Sequence, residues 1–137
     1  MIHKVKVSNN CKKELQKLDK ALSDCLWRNF IQPIQNGLVP PEELQGKYKP
    51  SWAANFLGSP MAEAFRKCAE ENNLYHYHIG YRFYRTGNDP DYPGDVSEGI
   101  AHTRCERYQD TFQHTVIKLC STHSSPFTIP LANIKDE

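Results

Sequence analysis

Between Leu74 and Arg85 the chain sets His76 and His78 one residue apart and follows them with Arg82, Tyr84 and Arg85. Imidazole takes up and releases protons near neutral pH, and guanidinium presents a fork of donors that fits a phosphate. Read with a period of two, Tyr75, Tyr77, Ile79, Tyr81 and Phe83 share one side, while His76, His78, Arg82 and Tyr84 share the other. That alternation predicts a half-buried strand over 74–85 with its aromatic side toward a core. Its polar side then carries two imidazoles, a guanidinium and a phenol, about 7 Å apart between same-side neighbours. Groups of these types bind a phosphodiester and transfer protons. Of the six histidines, His76, His78, His102, His114 and His123 all fall in the second half of the chain, so the chemistry is expected there.

The elements that must position these residues follow from periodicity and turn formers. Residues 2–7 alternate and read as a first strand; Ser8-Asn9-Asn10 then offers a helix N-cap, with Asn9 or Asn10 best placed. Leu15, Leu18, Leu22, Leu26 and Phe30 form one apolar stripe at steps of three and four, so a helix is expected to run to near Pro33 and to end before Asn36-Gly37. Residues 36–58 are irregular, with Trp52 and Phe56 as anchors to the core. Ser59-Pro60-Met61 opens a second helix that ends at Asn72-Asn73. After the 74–85 strand comes a turn-rich loop from Thr86 to Gly94, then strands over 99–105 and 112–120 joined at Tyr108-Gln109-Asp110. The order β-α-α-β-β-β predicts an α+β domain over residues 1–137, a small antiparallel sheet with helices on one face and a weakly ordered tail from about 128.

Composition narrows the function classes. At 137 residues the chain suits one core, and 39% hydrophobic with 24% charged residues is ordinary for a globular protein. No apolar run approaches the ~20 residues of a membrane span, and Met1 to Val7 has no apolar core of a secretory signal, so a cytoplasmic protein without membrane contact is expected. The cysteines Cys11, Cys25, Cys68, Cys105 and Cys120 contain no C-x-x-C pair and read as free thiols in a reducing compartment. A net charge of +1 argues against a free-standing nucleic-acid binder, whose affinity comes largely from phosphate contacts. It bears less on a protein that meets RNA inside a larger assembly.

This order of elements resembles the RelE/ParE superfamily of small toxins, and more narrowly the YafO family of ribosome-dependent mRNA interferases. Phe30-Ile31 with Asn36-Gly37-Leu38-Val39-Pro40 is similar to that family's helix end and Gly-x-x-Pro turn. Gly46-Lys47-Tyr48-Lys49-Pro50 is similar to its following loop, and His76-Tyr77-His78-Ile79 resembles its His-x-His-hydrophobic strand. Cys105 ends the next strand, and His123 follows Val116-Ile117-Lys118-Leu119-Cys120 where the family has its C-terminal histidine. The match runs from about residue 22 to 127. Where the family has a hydrophobic-Val-Tyr run this chain has His102-Thr103-Arg104, which puts His102 or Arg104 in place of a tyrosine.

The resemblance implies an endoribonuclease that attacks mRNA on the ribosome, with a cognate antitoxin protein as partner. Cleavage by 2′-oxygen attack needs a base, an acid and cations for the phosphorane, and it needs no metal or other cofactor. His78 and His123 are the expected proton-transfer pair, with Arg82, Arg85 and Arg104 as phosphate clamps. His76 and His102 stand second, and Tyr84 is placed to stack on a base. Arg82 and Arg85 could instead pair with Asp89, Asp91 or Asp95; His114 is expected to be structural, and Glu98 and Asp110 to belong to turns. Two other classes compete. One is a zinc hydrolase using His76 and His78, completed by His102 or His123. The other is a non-catalytic module that binds the ribosome or a partner protein.

Overall fold

A computed structural model describes residues 2–37 and 39–137; Met1, and Leu38 of the turn motif above, lie outside the described residues. Among the described residues five strands form one sheet and four α-helices pack on it. The strands are β1 (Ile2–Val7), β2 (Tyr48–Pro50), β3 (Leu74–His78), β4 (Ile100–Tyr108) and β5 (Thr111–Cys120), in the spatial order β1-β5-β4-β3-β2. The helices are α1 (Asn9–Leu15), α2 (Lys20–Leu26), α3 (Gln32–Gln35) and α4 (Ala62–Glu71). The fold is α+β, as the order of elements predicts.

Two features of that expectation are corrected. The sheet is mixed, because β1 lies parallel to β5 while the other pairings are antiparallel. Helices also cover both faces. On one face α1, α2, α3 and the π-turn between the last two bury Cys11, Leu22, Leu26, Phe30, Ile31 and Ile34 against Val5, Val7, Tyr77, Ala101, Val116 and Leu119. On the other, α4 and the C-terminal segment bury Phe65, Ala69, Phe127, Ile129 and Ile134 against Leu74, Ile100 and Ile117. The segment from about 128, expected to be weakly ordered, is therefore part of a core.

The expected first helix is three. Ser8, not Asn9 or Asn10, caps α1, its hydroxyl accepting from the Cys11 amide at 3.3 Å. Asp19 caps α2, accepting from the Ala21 amide, and also accepts from the Tyr81 hydroxyl at 2.6 Å. A π-turn over Trp27–Ile31 leads into α3, whose Pro33 has no N–H to give to the carbonyl of Asn29. The Tyr77 hydroxyl donates to that carbonyl instead, at 3.2 Å. The second helix starts at Ala62, two residues later than expected, with Ser59 accepting from the Met61 amide.

The strand expected over 74–85 stops at His78, since Gly80 (φ 77°) and Arg82 (φ 70°) are left-handed and break the alternation. Beyond it Tyr84 folds back, and a Cβ on Gly80 would lie 2.4 Å from its ring. On the other flank the short β2, absent from the sequence reading, extends the sheet edge. Gly46, just before it, is required by close approach, because a Cβ there would lie 2.0 Å from the His78 carbonyl oxygen.

His114 is fully buried on the helix-rich face, its two nitrogens 3.0 Å from His3 Nδ1 and 2.9 Å from the Tyr48 hydroxyl, with Cys105 beside it. Burial, and then the neighbouring His3, push its pKa down to about 3. An unfolded chain protonates this ring below pH ~6.5 while the folded protein does not, so the contribution to stability present at pH 7 is lost as pH falls toward 3. His114→Gln should therefore reduce the loss of unfolding free energy between pH 7 and pH 4 by about 3 kcal/mol, read from urea melts at both pH values. An unchanged pH dependence would show that the ring is not held neutral by the fold.

Candidate functional site: a buried histidine cluster

On the face covered by α4, alternation along β3 aims His76 and His78 the same way, and β4 brings His102 opposite His76. None of these rings is solvated: His78 is only 4% exposed, and His76 and His102 are as deeply buried. Phe127, carried over the sheet by the C-terminal segment, is the platform. Its ring centroid lies 4.5 Å from His76, 5.6 Å from His102 and 5.1 Å from His123. His123 stacks on His78 at 5.3 Å with only 10° between the planes. Among the described residues His76, His78 and His123 each present a ring nitrogen within 4.8 Å of the others.

The outer nitrogens are engaged by neighbours. His76 Nδ1 meets the Ser51 hydroxyl at 3.0 Å. His78 Nδ1 sits 2.8 Å from the Ser97 carbonyl and 3.0 Å from the Ser97 amide, one donor and one acceptor contesting a single nitrogen. Its Nε2 is buried and has no hydrogen-bond partner among the described residues. The carbonyl contact is the shorter of the two, so we assign the proton to Nδ1, donating to that carbonyl; the lone pair is then on Nε2, and the Ser97 amide is left without its contact to the ring. Desolvation lowers the pKa of His78 to about 4, despite the Ser97 backbone bond that raises it, and lowers that of His102 to about 3. His76 and His123 are also held below the ordinary histidine value, chiefly by desolvation.

The cluster opens on one side into a pocket of about 320 Å³ lined by Lys47, His78, Arg85, Ser97, Glu98 and His123 among others. Lys47 arrives from the β2 edge, where its carbonyl accepts from the His78 amide and its own amide donates to Asp95. Its ammonium is 3.6 Å from Asp89, which also meets Lys49 at 2.8 Å. Arg85 is fixed by paired backbone bonds with Val96, and its guanidinium is 3.4 Å from Glu98.

Of the residues singled out in the sequence, His76, His78, His102 and His123 thus gather on one face, with Arg85 at the mouth. Three do not. Arg82 is exposed, lies over the Tyr81 ring and lines a separate pocket of about 510 Å³ that shares Glu98. Tyr84 is tucked under Gly80 with its hydroxyl donating to the His78 carbonyl at 2.9 Å, so its ring is not free to stack on a base. Arg104 is buried and donates to the carbonyls of Ile134 and Asp136 and to Glu106, which makes it a clasp for the C-terminal segment instead of a phosphate clamp. The partners of Asp89 are lysines, and Arg85 pairs with Glu98. Sequence reasoning missed Lys47, Ser51, Ser97 and Phe127. It also assigned Phe83 to the core, yet that ring is 61% exposed beside Arg82. Only the Gly46-Lys47 turn carried a local signal.

Compared with family models, curated proteins and solved structures, the chain matches none. Among the described residues no helix is long and apolar enough to cross a membrane.

If Arg104 acts only as a clasp, Arg104→Gln should cost about 2–4 kcal/mol of stability in urea melts, from lost charged hydrogen bonds. The folded fraction should keep its activity. Lost activity at unchanged stability would return Arg104 to the site.

Proposed function

We propose that this protein is a YafO-like toxin, a ribosome-dependent mRNA interferase that cleaves RNA by metal-free 2′-oxygen attack. The observation that carries the reading is the His78–His123 stack in the wall of a pocket shared with Lys47 and Arg85. A phosphodiester entering that pocket meets Lys47 and Arg85, which must exchange Asp89 and Glu98 for it before they take up charge developing on the phosphorane. The attacking 2′-oxygen bonds to phosphorus, its proton passes to an imidazole, and the 5′-oxygen leaves with a proton from the other, giving a 2′,3′-cyclic phosphate end. An anionic phosphate beside His123 favours the protonated form that the leaving oxygen requires. The exposed Phe83, next to Arg82 in the adjoining pocket, is the aromatic surface available to a splayed base.

A net charge of +1 suits an enzyme whose substrate is positioned by the ribosome. The reading carries with it a cytoplasmic location and a cognate antitoxin that neutralises the toxin. Induced expression in a bacterial host, followed by primer extension on an abundant mRNA, tests it. New ends should appear at once and vanish when translation initiation is blocked. His123→Ala and Lys47→Ala should each lower cleavage by roughly 100-fold or more while remaining folded. Growth arrest without new ends would instead identify a non-catalytic ribosome-binding inhibitor, and undiminished cleavage by His123→Ala would remove that residue from the chemistry.

A further inference from the structure

We infer that His76, His78 and His123 form a three-imidazole site for a zinc-class divalent transition ion, with its open coordination position facing the Lys47–Arg85 pocket. The inference stands on the geometry of the cluster; an ion there occupies the nitrogens that metal-free cleavage uses for proton transfer, so the metal-loaded site is a separate state that holds that reaction off.

Three observations converge on it. The three donor nitrogens already lie within 4.8 Å of one another. Four-coordinate zinc with Zn–N bonds of about 2.0–2.1 Å needs its nitrogens about 3.3 Å apart, so the trio must close by about 1.5 Å. His123, the least buried of the three and carried on a loop, is the ring to make that movement, at the cost of its stack on His78.

Secondly, His78 Nε2 is a polar atom in a side chain 4% exposed, aimed into the cluster and unpartnered among the described residues. A metal ion satisfies that lone pair, and His102, packed on Phe127, is not one of the three. Thirdly, the outer nitrogens are held as metal-ligating histidines usually are, His78 Nδ1 by the Ser97 carbonyl and His76 Nδ1 by the Ser51 hydroxyl. Each contact orients a ring and leaves its Nε2 for the centre.

The donor set selects the ion. Neutral imidazoles suit zinc, cobalt, nickel or copper, whereas magnesium and calcium require oxygen ligands. The surroundings select the fourth ligand. Lys47 and Arg85 face the pocket with Asp89 and Glu98 as their carboxylate partners, so an anion bound to the metal, a phosphate ester or carboxylate, that takes over those pairings is the ligand class the pocket fits.

Cobalt(II) titration of chelator-treated, full-length protein tests this without RNA. One equivalent should give the intense visible bands of a tetrahedral site with no thiolate charge-transfer band, and one equivalent of zinc should displace it. His123→Gln should weaken binding at least 100-fold with an unchanged circular dichroism spectrum. His114→Gln, on the opposite face, should bind as the parent does. Absence of the bands, a thiolate signature, or full binding by His123→Gln would each overturn the inference. Cleavage by protein that takes up no metal would remove this inference alone; metal uptake by a protein that cleaves no RNA when metal-free would remove the ribonuclease reading alone.

Discussion

The structure depends on one constraint: its central strands are buried on both faces, and one of those faces is lined with histidine. β3 and β4 have Tyr77 and Ala101 under the helices and His76, His78 and His102 under Phe127. A charged imidazole there would lose its hydration without gaining a carboxylate, so the rings are held neutral. Neutral rings still need partners, and Ser51 and Ser97 supply them for the outer nitrogens. What is left over is a lone pair at the centre.

Everything around the cluster serves to roof it or to open it on one side. The C-terminal segment is tied down at both ends, by the Phe127 amide donating to Asn55 and by Arg104 gripping the carbonyls of Ile134 and Asp136. Between the sheet and that strap, Phe127 excludes water while His123 remains at the rim. On the opposite side Gly46 lets the chain pass within contact of the His78 carbonyl and so delivers Lys47 to the mouth. The left-handed turns at Gly80 and Arg82 end β3 and leave Ser97 and Glu98 beside the rings.

Much of the fold was legible in the sequence because alternation and capping are local. β1, β4, β5 and α4 fall where period and turn formers put them, within a few residues. β3 was read too long because Gly80 and Arg82 break it by backbone conformation, which alternation does not record. β2 is three residues ending in proline and has no pattern to detect. The site is half legible: the residue types single out His78 and His123, whose rings stack, but polar residues on an alternating strand read as exposed, and here they are core. Arg104 and Tyr84 were misplaced for the same reason, since their partners are main-chain carbonyls that no side-chain pattern reveals. Phe127 lay in a tail without periodicity, and only three-dimensional packing explains it.

Both chemical readings of the cluster, proton transfer and metal ligation, require the same atom, an unprotonated His78 Nε2 facing His76 and His123. Long-range ¹H–¹⁵N NMR of ¹⁵N-histidine-labelled, metal-free protein at pH 7 reports the tautomer directly. The account predicts a neutral His78 ring with its proton on Nδ1 and a free lone pair on Nε2. A proton on Nε2, or a charged ring at that pH, would contradict it.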